Sequence, residues 1–293
     1  MAMRIHGWGE APRLEELAEP VPQAGRSLVR MEATTASHLD RSIAAGGFLR
    51  HPPLPYVPGV EAAGTVLQSE RFAVGARVWL RGRGLGTTED GTWRETISAP
   101  DAALGALPDA IAMPLGAAFF SPCTAAWVAL FHVDALQAGE RVLVSGASGA
   151  VGGVAVQLAR AAGAQVTAVG DAGNDPSATF DLLVDAVGGA PLAGLLARLV
   201  PGGRAVLVGY TAGRSVELDL AELMQRDIRL LPLNMLRREA EARAAVPELL
   251  ARLADGRLQL SLRIFSLAQA AEAMAWIAER GHRGRAVLTR GAA

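Results

Sequence analysis

A glycine-rich turn directly after an apolar run constrains the fold of this chain more than any other feature. The segment RVLVSGASGAVG at 141–152 enters the turn from a β-type run, and a helical pattern follows at 154–162. Small residues let the backbone approach a pyrophosphate, and the N–H groups and positive dipole end of the following helix face its negative charge. The segment therefore predicts the strand–turn–helix unit of a dinucleotide-binding domain.

The glycine pattern of this turn is imperfect, because Ala147 stands where G-x-G-x-x-G has its first glycine. Gly149 and Gly152 keep the last two positions, and a second β-type run follows at 165–169. Asp171 lies near the offset of about 20 residues at which an acidic residue binds the ribose hydroxyls. A glycine-rich turn in an unrelated α/β protein is the alternative interpretation.

Two kinds of pattern divide the chain. Residues 1–113 contain short β-type runs between proline and glycine turns, which predict a mostly β, barrel-like domain. Residues 261–293 return to that style, with an amphipathic helix predicted at 267–279 and a strand predicted at 285–289. From 114 to 260, strand-like and helix-like segments alternate, which predicts a parallel, doubly wound sheet. The strands predicted in this middle region are 141–145, 165–169, 181–187, 204–210 and 228–233, with helices that include 191–199 and 238–254.

Composition excludes several classes of function. The 293 residues carry a net charge of −1, which gives no electrostatic case for binding nucleic acid or an anionic membrane. All 28 basic residues are arginine, which excludes Schiff-base catalysis and a lysine phosphate clamp. Cys123 is the only cysteine, so we expect no intrachain disulfide, in keeping with a cytoplasmic location.

Two segments bear on membrane targeting. The first ten residues lack the apolar stretch of a secretory signal. The uncharged run Ala110–Phe131 is long enough to span a bilayer, but Pro114, Gly116 and Pro122 interrupt it. We therefore expect a buried helix–hinge–helix segment and no membrane span.

Eight motifs in fixed order resemble the medium-chain dehydrogenase/reductase superfamily, and within it the zinc-free quinone reductase group. They are EATTASHLD at 32–40, LPYVPGVEAAGTV at 54–66, GTWRETI at 91–97, TAAWVAL at 124–130, GASGAVG at 146–152, DAVGG at 185–189, LVPGGRAVLVG at 199–209 and HRGRAVLT at 282–289. The resemblance implies a GroES-like catalytic domain at 1–113 and 261–293, a Rossmann domain at 114–260, and an active site in the cleft.

The resemblance also indicates which residues contact the cofactor, expected to be NAD(P)H. The pyrophosphate turn consists of Ser145, Gly146, Ala147, Ser148, Gly149, Ala150, Val151 and Gly152. The residues expected on the nicotinamide side are Val187, Gly188, Gly209 and Tyr210. Arg285 matches a basic residue that reaches the pyrophosphate in relatives, and a solvated surface arginine is the alternative. Asp171 favours NADH, because a carboxylate repels a 2′-phosphate, whereas the resemblance favours NADPH.

Zinc-dependent relatives place metal ligands at three points, which fall here on Ser37, Val60 and Phe120. Valine and phenylalanine have no lone pair to give, and serine is a poor zinc ligand, so we expect no catalytic metal. Without a Lewis acid, an alcohol is poorly activated, whereas a quinone, enone or enoyl thioester accepts hydride readily. The small-molecule substrate is expected to be of this kind.

Ser37 is the candidate catalytic residue, because its hydroxyl could donate a hydrogen bond to the substrate oxygen as negative charge develops there. A small residue that faces nothing is the alternative. Asp40 and Glu61 match retained family acids and are interpreted as structural hydrogen-bonding groups. Four aromatic residues are candidates for an apolar substrate wall, with core packing as the alternative for each: Phe48, Tyr56, Phe120 and Trp127.

One segment departs from the family pattern. Relatives have a helix, a strand and a helix between the second Rossmann strand and the DAVGG strand, where this chain has only DAGNDPSATF at 171–180. Ten extended residues reach about 33 Å, enough to make the connection without a helix. The Rossmann sheet should thus be shortened by one βα unit, which leaves its adenosine end open. An NAD(P)H-dependent quinone or enone reductase remains one hypothesis, and a catalytically silent binding or structural protein remains the other.

The last predicted strand, 228–233, reads IRLLPL and is apolar on both faces. It would lie at a sheet edge, where exposed backbone groups recruit another strand. We therefore expect a homodimer through this strand, a pairing that the resemblance also implies. Pro232 has no N–H to donate, so pairing should run mainly through the residues before it.

Overall fold

The computed structural model describes residues 1–47, 51–169, 177–279 and 281–291. The chain divides into two compact units: unit 1 comprises Met1–Phe120 and Ser261–Ala293, and unit 2 comprises Ser121–Leu260. Unit 1 is mostly β, and unit 2 alternates strands with helices. The predicted α/β fold class is confirmed.

Unit 1 is built mainly from antiparallel strands. Two short strands, β1 (Ala2–Arg4) and β2 (Arg13–Glu15), pair with each other. The main sheet contains β3 (Arg26–Ala36), β4 (Glu61–Gln68), β5 (Arg77–Arg81), β6 (Thr96–Pro100), β7 (Leu104–Ala106), β13 (Leu262–Ser266) and β14 (Arg285–Thr289). Its order is β13–β14–β3–β4–β5–β7, with β6 paired to the first half of β3. The β13–β14 pair is parallel.

The period of the side chains explains how β3 forms the centre of this sheet. Val29 and Met31 lie two residues apart and are fully buried, as expected for one face of a strand. They belong to the same apolar core as Leu80 and Leu288, which come from β5 and β14. Burial of this face fixes the pairing register, because a slip by one residue would expose it.

The helices of unit 1 are short. They are α1 (His38–Ala44), α2 (Met113–Ala118) and α8 (Ala270–Trp276), with 3-10 turns at Asp101–Ala103 and Leu267–Gln269. The predicted tail helix at 267–279 is therefore wrong in its limits. It begins as a 3-10 turn, where the Ser266 and Gln269 side chains form a capping box.

Unit 2 is a five-stranded parallel sheet with helices between its strands. The strands are β8 (Arg141–Ser145), β9 (Gln165–Ala168), β10 (Phe180–Asp185), β11 (Leu199–Leu207) and β12 (Arg229–Pro232). The helices are α3 (Phe120–Val128), α4 (Ala150–Ala161), α5 (Pro191–Leu196), α6 (Leu220–Gln225) and α7 (Glu239–Ala254), and a π-helix covers Ala129–Val133. No helix among the described residues is long and apolar enough to cross a membrane.

The sheet order of unit 2 is β12–β11–β10–β8–β9. Val142, Leu143 and Val144 of β8 are all fully buried, which is typical of a parallel strand covered on both faces. In the described ranges β9 is the edge next to β8, so the position of a third Rossmann strand is empty, as the short link predicts. Residues 170–176 of that link, which include Asp171, lie outside the described residues.

The region of 191–210 differs from the prediction. The helix ends at Leu196, and β11 begins at Leu199 rather than at residue 204. Leu199 already pairs with Phe180, and after a bulge the next pairing joins Leu182 to Arg204. A bulge adds unpaired residues that interrupt the period of the side chains, and the prediction therefore missed the start of the strand.

An ion-pair group lies near the amino ends of these strands. The Arg204 guanidinium donates from Nε to Asp134 Oδ1 at 2.5 Å and from Nη2 to Asp134 Oδ2 at 2.8 Å. It also contacts Glu140 Oε1 at 2.9 Å. The side chain of Asp134 has no exposed surface, and these hydrogen bonds raise the pKa of Arg204 further. A buried carboxylate in unit 2 therefore depends on one arginine for its compensation.

Candidate functional site

Three loops meet at the carboxyl ends of β8, β10 and β11, and we call them the three-loop site (residues 145–152, 185–189 and 208–213). The Ala212 N–H donates to the Val187 carbonyl at 2.9 Å, and the Val208 N–H donates to the Asp185 carbonyl at 2.8 Å. Gly188 and Gly213 form an isolated β-bridge. Ligands of open α/β sheets bind beyond the carboxyl ends of the strands. The three-loop site is therefore the candidate binding site of unit 2.

The first loop is a tight turn without bulky side chains. Gly146 has a φ of +64°, and the Gly149 N–H donates to its carbonyl at 2.9 Å. A Cβ on Gly152 would lie 2.3 Å from the Gly146 carbonyl oxygen, so this position requires glycine. Ala147 occupies the position where the motif has a glycine, and its methyl group is accommodated in the turn.

The N-terminus of α4 begins at this turn and carries no side-chain cap. Its N-cap is Gly149, so the first N–H groups of the helix are not bonded by a capping side chain. Uncapped N–H groups and the positive end of a 12-residue helix suit an anion. The residues of the turn thus fit the pyrophosphate of a dinucleotide.

The second and third loops are in backbone contact. A Cβ on Gly188 would lie 2.6 Å from the Gly209 carbonyl oxygen, and a Cβ on Gly209 would lie 2.4 Å from the Ala186 carbonyl oxygen. Val187, Gly188 and Gly209, the expected nicotinamide-side residues, are therefore neighbours. Tyr210 is 53% exposed, with the Arg214 guanidinium 6.0 Å from its ring centroid.

Asp185 and Ser145 connect these loops, and the role of Asp185 is not among the sequence predictions. Its buried carboxylate accepts from the Ser145 hydroxyl and from the N–H groups of Val187 at 3.2 Å and Gly188 at 3.0 Å. The Ser145 oxygen accepts from the Ala186 N–H at 3.0 Å. An acidic residue that ends an apolar strand within the DAVGG motif was the available signal.

In unit 1, Ser37 is the N-cap of α1. Its hydroxyl donates to Asp40 Oδ2 at 2.5 Å, and its backbone N–H donates to the same oxygen at 2.9 Å. The two residues form a capping box. The Ser37 side chain is therefore held in one orientation by Asp40.

Asp40 and Tyr56 are buried polar side chains with unsatisfied atoms. Each has a relative exposure of 1%, and among the described residues neither Asp40 Oδ1 nor the Tyr56 hydroxyl has a hydrogen-bond partner. Burial raises the pKa of Asp40 to about 6, with a smaller contribution from the negative charge of Glu61 and opposing ones from the Ser37 hydrogen bond, Arg285 and Arg81. Burial also raises the pKa of Tyr56.

We expect Asp40 to make the fold less stable as the pH rises. Its folded pKa of about 6 lies above its ordinary 3.8. The folded state thus binds the proton more tightly, and this stabilisation is complete below the ordinary pKa and is lost as the pH rises through the folded one. The free energy of unfolding should fall by about 3 kcal/mol over that interval. Denaturant titrations of wild type and Asp40→Asn, which cannot ionise, measure it, and identical pH dependences would contradict the expectation.

Arg285 is 8% exposed and bonded within unit 1. Its Nη2 donates to Glu61 Oε2 at 2.5 Å and to Thr35 Oγ1 at 3.1 Å, and Arg81 Nε lies 3.6 Å from Glu61 Oε1. A solvated Arg285 is therefore wrong, because a charge that shares a buried carboxylate cannot face water. Its expected contact with the pyrophosphate stays a prediction. Glu61 forms the kind of structural contact interpreted for it.

The candidate wall residues occupy different environments. Tyr56 lies in an apolar cluster with Ile5 and Ile43. Phe120 is 8% exposed and stacks on Trp79 with ring centroids 5.0 Å apart. Trp127, in unit 2, packs on Phe131 at 4.7 Å, with the Arg252 guanidinium 5.5 Å from its ring. Phe48 lies outside the described residues.

Known proteins match both units. The alcohol dehydrogenase GroES-like domain family matches residues 23–109, and the zinc-binding dehydrogenase family matches residues 160–288. The quinone oxidoreductase of Mus musculus is 35% identical over 182 residues, which are 59% of this chain and 53% of that protein. The chain belongs to the medium-chain dehydrogenase/reductase superfamily. Within it, the chain falls in the quinone oxidoreductase-like group.

Solved structures of this superfamily share the fold over nearly the whole chain. The quinone oxidoreductase from Thermus thermophilus, solved also as its complex with NADPH, is 28% identical with a TM-score of 0.79, over 98% of this chain and 99% of that one. An alcohol dehydrogenase superfamily protein from Novosphingobium aromaticivorans is 26% identical with a TM-score of 0.84, over 98% of each chain. In sequence, the chain spans about half the length of the curated relatives it matches.

In this medium-chain dehydrogenase/reductase, unit 1 is the GroES-like domain and unit 2 carries the Rossmann sheet. The three points of the zinc-ligand set lie in unit 1, at the α1 N-cap Ser37, the buried Val60 and Phe120. In the part of the chain that the structure describes, no group of three or more His, Cys, Asp or Glu side chains could hold a metal ion. The side chains of Ser37, Val60 and Phe120 do not have the donor atoms of a zinc site, although the matching family is described as zinc-binding.

Proposed function

We propose that this chain is an NAD(P)H-dependent oxidoreductase that reduces a quinone or another activated alkene without zinc. The turn at 146–152 carries this proposal, because its glycines and the uncapped N-terminus of α4 form a cradle suited to a pyrophosphate. The family membership and the NADPH complex of the Thermus relative support it.

When bound, the cofactor supplies a hydride, and the residues of the chain supply position and polarity. The turn at 146–152 would bind the pyrophosphate, and the loop at 185–189 would orient the nicotinamide end. Ser37 would donate a hydrogen bond to the substrate oxygen as negative charge develops there. The Ser37 hydroxyl donates to Asp40 in this structure, so it can turn to the substrate when a protonated Asp40 donates to the Ser37 oxygen instead.

Measurement of cofactor binding, followed by measurement of substrate reduction, tests this proposal. Calorimetric titration with NADH and NADPH should give saturable binding of at least one, and 1,4-benzoquinone or an enone should then be reduced. A folded protein that binds neither dinucleotide would overturn the proposal. It would favour a catalytically silent binding or structural protein, an alternative that rests on the absence of a strand beyond β9 in the described ranges.

We further propose that the enzyme works without zinc. Purified protein should contain no stoichiometric zinc, and chelators should leave its activity unchanged, because the positions of the ligand set hold Ser37, Val60 and Phe120. Elemental analysis measures the metal. One equivalent of tightly bound zinc per chain would contradict this prediction.

The cofactor preference rests on Asp171, which lies outside the described residues. We propose that NADH serves at least as well as NADPH, since a carboxylate at this position accepts from ribose hydroxyls and repels a 2′-phosphate. A loop that turns Asp171 into solvent is the alternative and predicts no preference. Dissociation constants for both cofactors in wild type and Asp171→Ser separate the two. A tenfold preference for NADPH, about 1.4 kcal/mol in binding free energy, would contradict both the preference for NADH and the absence of a preference.

We also propose that two copies pair through β12. This strand is the edge of the sheet, and Leu233 N–H already donates to Leu207 in β11. Because N–H groups alternate along a strand, the Leu230 N–H faces the open edge. Position 232 faces the same edge but is proline, which has no N–H to donate. Light scattering should give a dimer mass for wild type and a monomer mass for Leu230→Pro. A monomeric wild type at micromolar concentration would exclude the pairing.

A further inference from the structure

Asp185 has hydrogen bonds to each loop of the three-loop site. Its carboxylate accepts from the Ser145 hydroxyl, at the start of the first loop, and from Val187 and Gly188 in the second. Its backbone carbonyl accepts from Val208 at 2.8 Å and Gly209 at 3.2 Å, in the third. The residue thus joins three segments that are separate in sequence.

The Asp185 side chain is buried and compensated by hydrogen bonds. Its residue exposure is 1%, and within the described ranges no arginine forms an ion pair with it. Three donors instead stabilise the carboxylate, and two of them are backbone N–H groups of the second loop. A buried charge that is held this way fixes the backbone around it, because each lost bond leaves an uncompensated polar group.

The bonds of Ser145 make this connection a closed ring. Its hydroxyl donates to Asp185 while its oxygen accepts from the Ala186 N–H at 3.0 Å. Ser145 ends β8 and Asp185 ends β10, and the two residues are directly paired in the sheet. The entry to the pyrophosphate turn is therefore tied to the loop that holds Val187 and Gly188.

We propose that Asp185 is a positioning residue that fixes the 186–189 loop relative to the pyrophosphate turn, so that both halves of the dinucleotide bind in register. This inference rests on the proposed function. Asp185 acts through Ser145, Val187 and Gly188 and need not touch the cofactor. It sets a geometry that binding would otherwise have to create at a cost in affinity.

Asp185→Asn tests the proposal, with Asp181→Asn as its matched control. The asparagine replaces one acceptor oxygen by an amide NH₂, which would face the N–H of Gly188 or Val187. Asp181 is the same residue type on the same strand, but it is 28% exposed and pairs with Arg141 away from the loops. We expect Asp185→Asn to weaken NADH binding about tenfold or more, and to change the affinity for ADP-ribose, which lacks the nicotinamide, less than about threefold. Asp181→Asn should leave both affinities unchanged.

Hydrogen exchange of the cofactor-free protein gives a readout independent of binding. Asp185→Asn should speed exchange of the amides at 186–189 about tenfold or more, and Asp181→Asn should not. Equal weakening of NADH and ADP-ribose, or unchanged exchange in the 186–189 loop, would overturn the proposal. If wild type bound neither ligand, the proposed function would fail, whereas the exchange result would still decide whether Asp185 holds the loop.

Discussion

Replacing Gly149 by valine should abolish dinucleotide binding and leave unit 2 folded. Gly149 has φ −79° and ψ 171°, an extended conformation that valine adopts readily. A Cβ there would have its nearest neighbour, the Gly146 carbonyl oxygen, at 3.3 Å, which requires only a small adjustment. The isopropyl group would stand at the N-cap of α4, where the pyrophosphate is expected. We expect a loss of dinucleotide affinity of about 100-fold or more, because the isopropyl group would occupy the space in which the pyrophosphate contacts the N–H groups of the turn.

Calorimetry with NADH and NADPH measures the loss, and two further glycines serve as comparisons. Gly194→Val, in α5, adds the same side chain at a position where no atom of the described residues lies within 4 Å of a Cβ, and it should leave the dinucleotide affinity unchanged. Gly152→Ala should destabilise the fold as well as binding, because its Cβ would overlap the Gly146 carbonyl. A folded Gly149→Val protein with wild-type affinity would remove this turn from the site.

Replacing Arg204 by methionine should lower the free energy of unfolding by about 3–5 kcal/mol. The substitution keeps most of the side-chain volume but leaves Asp134, with no exposed surface, as an uncompensated buried carboxylate. Glu140 loses the same partner but is 19% exposed, so water compensates part of its charge. Denaturant-induced unfolding followed by circular dichroism measures the change.

Two controls separate a buried charge from lost packing. Arg257→Met breaks the ion pair with Asp255, in which the two side chains are 59% and 45% exposed, and it should leave the free energy of unfolding nearly unchanged. The double variant Arg204→Met with Asp134→Leu removes both buried charges and should recover much of the lost stability. If Arg204→Met cost no more than Arg257→Met, Asp134 would not be the buried charge that the structure indicates.

The sequence predicted those elements whose signal is local. Both β8 and β14 have the predicted limits, 141–145 and 285–289, because each is a continuous apolar run between turns. The absence of a third strand from the described part of the Rossmann sheet could be predicted too, since ten residues at 171–180 are too few for a helix, a strand and a helix. The start of β11 was missed, because a bulge interrupts its period.

The polar groups that organise the site were harder to predict, because their partners are distant in sequence. Ser145 and Asp185 are 40 residues apart, Arg204 and Asp134 are 70 apart, and Arg285 and Glu61 are 224 apart. A single sequence contains no spacing rule for such pairs. The sequence accordingly leaves Arg285 as a phosphate ligand or a solvated residue, and it does not indicate the pairing with Glu61. Ser37 and Asp40, three residues apart, are the kind of capping pair that local spacing can indicate.

The assembly of unit 1 from both ends of the chain has a consequence for the nascent protein. The strand β14 pairs with Ala33–Ala36 of β3, yet Thr35 and Arg285 are 250 residues apart. While the ribosome synthesises the residues between them, unit 2 can fold, but the edge of β3 that pairs with β14 remains unpaired. Such edges recruit strands from other chains. We therefore expect the half-made protein to be prone to aggregation until β14 is synthesised, and truncation before residue 285 should yield insoluble product.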